Sequence, residues 1–300
     1  MVRMTNLDIA PAARPKLLPM LAVAGTVITW ASSFPAIGMA LTGFEPLPMA
    51  AVRFALAAIL AIAWLAWRRP PRFSRKDLGI LAISGVIGIA LYNILLNSGQ
   101  TTVSAGAASF IVNSQPMFMA ILAVVFLKEA FNRWAWLGTT IGFLGLATIA
   151  WGQPGGLDFG AGSSLILGAA VAAAVFSVMQ RPLFQRIEPL TVTAAVLLAG
   201  AIALLPWLPT GIAQYSVAAP EARYAVIFLA IAPAAIGQVS WSFAIRHYGA
   251  ARAGQFLYLI PPLATLIAWL VLGDIPVLTT ILGGVATITG VIIVNTRGRR

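Results

Sequence analysis

The chain has 300 residues, 60% of them apolar and 9% charged, with 19 basic side chains against 8 acidic ones and a net charge of +11. A soluble chain is about a quarter charged, so this composition excludes a water-soluble globule and makes lipid the solvent for most of the surface. The positive charge points away from a nucleic-acid binder, because the basic residues are scattered between long apolar runs instead of forming a stripe. With no cysteine, disulfides, thiolate catalysis and cysteine-ligated metals are excluded.

A hydrocarbon core about 30 Å thick needs about 20 apolar helical residues. After a basic tail over residues 1–16, the runs of that length predict ten spans: Leu17 to Leu41, Pro46 to Trp67, Leu78 to Ser98, Ala105 to Leu127, Trp134 to Trp151, Ser163 to Phe184, Pro189 to Leu208, Arg223 to Ile245, Ala253 to Leu272 and Val277 to Val294. Residues 295–300 form a second basic tail. The first apolar run continues to Leu41, too long for a signal peptide. Lysine and arginine resist translocation, so their distribution sets orientation. With the N-terminus in the cytoplasm, seventeen of the nineteen fall on the cytoplasmic side; Arg223 lies opposite and Arg53 lies within a span. Both termini are then expected on the cytoplasmic face of the inner membrane.

The sequence matches itself at an offset of 145 residues. Ala105, Ala108, Pro116, Ala123, Leu127, Gly138 and Gly145 recur as Ala250, Ala253, Pro261, Ala268, Leu272, Gly283 and Gly290, and Glu129 recurs as Asp274. Five spans per half, over residues 17–151 and 163–294, place the second half upside down relative to the first. The expected fold class is therefore an all-α membrane protein of ten transmembrane helices in two inverted five-helix repeats, an arrangement that secondary transporters use.

These residues also carry a resemblance. Trp30-Ala31-Ser32-Ser33-Phe34, Arg53-Phe54, Thr102-Val103-Ser104-Ala105, Pro116 thirteen residues before Glu129, and Gly249-Ala250-Ala251-Arg252-Ala253 with Pro261 and Asp274 together resemble the EamA family of the drug/metabolite transporter superfamily. The resemblance runs from the first span to the tenth. It implies ten helices in two inverted repeats, a central cavity, and export or exchange of small metabolites, with exporters of amino acids, aromatic ones included, among the members. Asp274 stands where the family usually has glutamate.

Polar side chains within spans are costly against lipid and are expected to face the protein interior or a water-filled path. The candidate substrate-binding residues are Trp30, Ser33, Tyr92, Asn93, Asn113, Gln238, Trp241 and Tyr258. They come from a wider polar set that includes Ser32, Asn97, Ser114, Gln115, Gln180, Ser240, Ser242 and Gln255, any of which can instead be interhelical glue. The repeat offset pairs Asn93 with Gln238 and Asn113 with Tyr258. Flat aromatic faces suit an amphipathic zwitterion. Trp64, Trp67, Trp134, Trp136, Trp151 and Trp207 are expected at the membrane interfaces.

Arg53 is the ionisable side chain well inside a span, about 10 Å deep. It can pair with a substrate carboxylate or bind helix carbonyls, and the structural role is favoured. No acid lies mid-membrane and His247 falls in a cytoplasmic loop, so transport without proton coupling is expected. Glu129 and Asp274 are expected to cap the helices that follow them. Pro116 and Pro261 are the candidate hinges. Gly138, Gly142 and Gly145, with Gly283 and Gly290, have the spacing for close helix contact or a dimer face.

No nucleophile and base, metal-ligating cluster or nucleotide motif is present, so no catalytic residue, cofactor or metal is expected. Charged rings or a repeated filter, as a channel would use, are also missing. The expected function is export or exchange of a small organic solute, amino acids first, by alternating access. A multidrug or other metabolite exporter driven by proton antiport is the alternative, and an intramembrane enzyme or channel the reading from another class. The expected partners are a small-molecule substrate and the lipid bilayer, with no nucleic acid; whether the chain is a monomer or homodimer is left open.

Overall fold

A computed structural model describes residues 17–70, 73–103, 105–152, 162–264, 266 and 277–299. The elements are α1 (Leu17–Ala31), α2 (Ser33–Ala40), α3 (Pro46–Arg68), α4 (Arg75–Gly85), a π segment (Val86–Leu91), α5 (Tyr92–Gly99), α6 (Ala105–Val112), α7 (Gln115–Leu127), α8 (Arg133–Trp151), α9 (Gly162–Gln180), α10 (Pro189–Ala203), α11 (Leu208–Val217), α12 (Pro220–Leu229), a second π segment (Ala230–Gly237), α13 (Gln238–Tyr248), α14 (Ala250–Gln255), a 3-10 turn (Phe256–Leu259) and α15 (Leu278–Thr296). The chain is an all-α membrane protein. Among the described residues eight helices are long and apolar enough to cross a bilayer, and nine if the bent pair Pro189–Ala203 and Leu205–Val217 is one span. The ninth expected span is described only as far as residues 264 and 266. Its remainder, with Leu272 and Asp274, lies outside the described residues, as do the tail over residues 1–16 and Ser104.

Local chemistry sets the helix ends. Pro46, Pro189 and Pro220 open α3, α10 and α12, where a missing N–H costs nothing. Ser74 and Asn132 cap α4 and α8, their side-chain oxygens accepting from Asp77 N (3.1 Å) and Ala135 N (3.0 Å). The expected end of the seventh span at Leu208 is corrected. Pro206 ends the helix early, the chain bends by 53°, and α11 carries on along α3, where Gly211 lets its backbone approach Pro48 O.

The main packings join the two halves: α3 with α10, α5 with α9, α1 with α13, α7 with α14, and α8 with α15. In the last pair, a Cβ on Gly138 would stand 2.7 Å from Gly290 O, and one on Gly145 2.7 Å from Gly283 O. The glycine stripes are thus occupied within the chain. The two π segments also agree in register, since Val86–Leu91 moved by 145 residues falls at 231–236, inside Ala230–Gly237.

The basic loops gather at one end of the bundle. Arg68 pairs with Glu188 (3.3 Å), Arg186 with Asp77 (2.8 Å) and Arg181 with Glu129 (3.5 Å), and Asn132 Nδ2 donates to Arg297 O (3.0 Å). Glu129 does not cap α8, which follows it. Lys128 in the left-handed region (φ 54°) turns the chain, and the carboxylate accepts from Ala250 N and Ala251 N at 2.9 Å each, capping α14. Asn132 has taken the α8 cap.

Apolar packing divides the same way. One large cluster, including Leu81, Met119, Phe184, Trp241 and Ile245, reaches the basic-end residues Phe73, Phe131 and Ile187. Toward the opposite end it gives way to two separate clusters, one of Ile37, Phe44, Met49 and Leu229, the other of Leu96, Val103, Ile111 and Ile166. Exposed apolar side chains such as Ile59, Ile62, Leu282 and Val285 form the lipid-facing surface, and Trp67 and Trp151 stand exposed at helix ends.

Candidate functional site

Where the clusters part, a cavity lies between the two halves and is lined by residues of both. Its walls combine regular helix faces with the irregular parts of the helices. The break after Ala31 sets Ser33 at the wall, with its Oγ donating to Trp30 O (2.7 Å). The first π segment supplies Gly88 and Ile89, the second Pro233 and Ala234, and the turn between α6 and α7 supplies Asn113. π turns recur at functional sites because their wider coil leaves carbonyls unpaired and turns side chains off the helical face.

Seven of the eight residues named as candidate binding residues share this wall: Trp30, Ser33, Tyr92, Asn93, Asn113, Gln238 and Trp241. Trp30 and Trp241 face each other with centroids 5.5 Å apart and planes tilted by 49°. Trp30 Nε1 donates to Pro233 O (3.3 Å) and Trp241 Nε1 to Ser177 Oγ (3.2 Å), so both indoles are held by their polar edges. Asn93 and Asn113 direct their Nδ2 groups to Ile89 O (2.8 Å) and Ser109 O (2.7 Å), leaving Oδ1 as acceptors at the wall. Gln115 also lines the cavity, its Nε2 toward Met119 Sδ (3.4 Å).

Tyr258 is corrected. It is fully buried away from the cavity, packed with Leu146 and Val291, and its ring fills the space left by Gly142. The 3-10 turn Phe256–Leu259 instead puts Leu257 at the wall. Several other polar residues are glue. Gln255 accepts from Thr139 Oγ1 (3.0 Å) and donates to Ala251 O (3.3 Å), Ser242 Oγ meets Thr193 Oγ1 (2.7 Å), and Gln180 Nε2 donates to Phe176 O (3.2 Å). Pro116 and Pro261 sit beside the turn at residues 113–114 and the 3-10 turn, where each removes the N–H that would have closed the helix.

Arg53 is buried and belongs to the wall, with Nε donating to Leu229 O (3.1 Å). Pro233 explains this acceptor, because it lacks the N–H that would bond the carbonyl four residues earlier. Sequence reasoning missed Ser177, Phe176 and Phe54. A signal existed for Ser177, which is the counterpart of Ser32 at the repeat offset. Phe176 packs on Gly88, where a Cβ would overlap its ring, and a phenylalanine in an apolar run carries no signal of its own.

The EamA-like transporter family matches residues 17–151 and again residues 160–296. The chain belongs to this family. A probable terminal-alkyne amino-acid exporter of Streptantibioticus cattleyicolor is 36% identical over 281 residues, covering 92% of this chain and 93% of that one. An uncharacterized transporter of Bacillus subtilis is 35% identical over 264 residues, covering 87% and 86%. A solved crystal structure at 18% identity superposes with a TM-score of 0.77 over 95% of this chain and 99% of that one, which shows a shared fold. As an EamA-family chain with transporter relatives, the protein is a multi-pass membrane transporter and not an enzyme.

Proposed function

We propose that this EamA-family chain is a secondary transporter of the cytoplasmic membrane that exports or exchanges small organic metabolites, amino acids including aromatic ones foremost, by alternating access and without proton coupling. The observation that carries the reading is the cavity wall: a tilted tryptophan pair, asparagine and glutamine amides, and one arginine, with no acid or histidine among its described residues. Such a wall suits a zwitterion with an apolar side chain, whose ammonium group meets amide oxygens and indole faces. It offers no carboxyl or imidazole through which a proton relay would run.

Ten helices in two inverted repeats, over residues 17–151 and 163–294, complete the proposal. Three observations support the repeat: two successive family matches, π segments in the same register, and the crosswise contacts Gly138 to Gly290 and Gly145 to Gly283. In the last of these, Gly138 meets the counterpart of Gly145 and Gly145 meets the counterpart of Gly138, as a twofold relation requires. With the basic end in the cytoplasm, the cavity belongs to a form closed on that side by the large apolar cluster and ion pairs and parted on the other. Rocking about the breaks next to Pro116 and Pro261 would exchange the two.

The test is uptake of labelled amino acids into proteoliposomes, with and without the same compound inside and with and without a pH gradient. Saturable uptake that internal substrate stimulates and pH leaves unchanged is the expected result. Uptake that follows the proton gradient would instead support antiport, and no uptake of any amino acid would remove the substrate class.

A further inference from the structure

Arg53 is 8% exposed, and no acid pairs with it among the described residues. The ion pairs among the described residues are Arg68 with Glu188, Arg181 with Glu129 and Arg186 with Asp77, all at the basic end and none reaching Arg53. Its Nε is held by Leu229 O (3.1 Å) and its Cζ lies 5.0 Å from the Phe54 ring centroid, so the group is fixed by one edge and one face. Neither Nη makes a hydrogen bond among the described residues, and the side chain forms part of the cavity wall. Taking a guanidinium out of water costs several kcal/mol unless an anion meets it. A site that holds such a group oriented beside a cavity, with its outer edge unengaged, is built for a planar anion, because two parallel N–H groups match the two oxygens of a carboxylate.

The rest of the wall agrees. Asn93 and Asn113 present acceptors and the tryptophans present faces for a positive or apolar portion of the solute, Gln238 and Ser33 add only neutral groups, and Arg53 is the one cation among the described wall residues. Resting on the transporter reading above, we infer that Arg53 anchors a carboxylate of the transported solute, so that the cavity selects solutes bearing a carboxylate over the corresponding esters and amines.

The experiment uses the full chain in proteoliposomes preloaded with phenylalanine. Counterflow of labelled phenylalanine is competed by 3-phenylpropionate, phenylalanine methyl ester or phenethylamine, and binding of each is followed by intrinsic tryptophan emission. The acid is expected to compete about tenfold or more better than the ester or the amine, the factor that one charge-assisted hydrogen bond of about 1.5–3 kcal/mol supplies. Arg53→Lys should keep that order with weaker affinity, and Arg53→Gln should abolish it. The competitor series in the unmodified protein stands even if Arg53→Gln does not fold. An ester or amine that competes as well as the acid overturns the anchor, as does a folded Arg53→Gln variant that keeps the preference. If phenylalanine does not move but 3-phenylpropionate binds in an Arg53-dependent way, the amino acid reading fails and the anchor stands. If none of the carboxylates binds, both fall.

Discussion

Gly138 of α8 rests directly on Gly290 of α15: a side chain at Gly138 would meet the Gly290 carbonyl oxygen at 2.7 Å and Val294 Cγ2 at 2.8 Å. Neither neighbour can retreat, because one is backbone and the other is packed within a helix. Gly138→Val or Gly145→Val should therefore pry α8 from α15 and cost about 1–3 kcal/mol or more, read as a lower midpoint in thermal unfolding in detergent. Gly79→Ala, inside α4 with open space around it, should leave the midpoint unchanged or raise it, by up to about 1 kcal/mol of helix propensity.

Glu129 spans the basic end, its two oxygens on Ala250 N and Ala251 N and one of them also near Arg181. Glu129→Ala should leave two amides and a half-buried cation without their acceptor, at about 1–3 kcal/mol. It should also raise labelling of a Ser177→Cys variant by an impermeant thiol reagent applied from the basic side. As the natural chain contains no cysteine, that signal has a clean background. Unchanged labelling would show that Glu129 fastens a helix end without holding the cavity shut.

Trp241 and Tyr258 should separate cleanly. Trp241 is 1% exposed, so Trp241→Ala risks about 3–5 kcal/mol of stability and says little about transport. Trp241→Phe keeps an aromatic face and loses the bond to Ser177, and it should raise KM for aromatic amino acids severalfold in folded protein. The hydroxyl of Tyr258 is buried with no hydrogen-bond partner among the described residues, so Tyr258→Phe should leave transport kinetics unchanged and stability equal or slightly higher.

Orientation can be read with single cysteines at exposed loop positions. Thr42→Cys and Thr101→Cys should react with an impermeant reagent added outside intact cells, and Gln185→Cys only after lysis. The reverse pattern would invert the proposed topology and place the closed end of the cavity outside.

Eight of the expected spans were legible because lipid leaves little freedom: apolar length, flanking charge and proline mark them directly. The bend after Ala203 was not, because the apolar sequence runs on through Pro206 and Pro209, and only backbone geometry separates α10 from α11. The π segments carry no composition of their own, so nothing in Val86–Leu91 announces them. Within the candidate site, Asn113 and Tyr258 share a repeat register and part company in space. Gly142 opens a slot that the tyrosine ring fills, whereas the counterpart of Gly142 is Thr287, whose side chain offers no such room. Register identifies equivalent positions; the neighbour across the interface decides which way each one turns.

A π turn holds one residue more than the α turn it replaces. In an α-helix each residue advances the azimuth by about 100°, so the slower winding of the π turn absorbs the extra residue and holds the phase of everything after it. Forcing Ala230–Gly237 into α geometry at its present length would swing Gln238 and Trp241 by about that angle and carry Ser242 off Thr193, whereas removing one residue together with that change would leave them in place. The same holds for Tyr92 and Asn93 beyond Val86–Leu91. The two segments act as dials, each setting by one residue of chain which stripe of the following helix is shown to the solute.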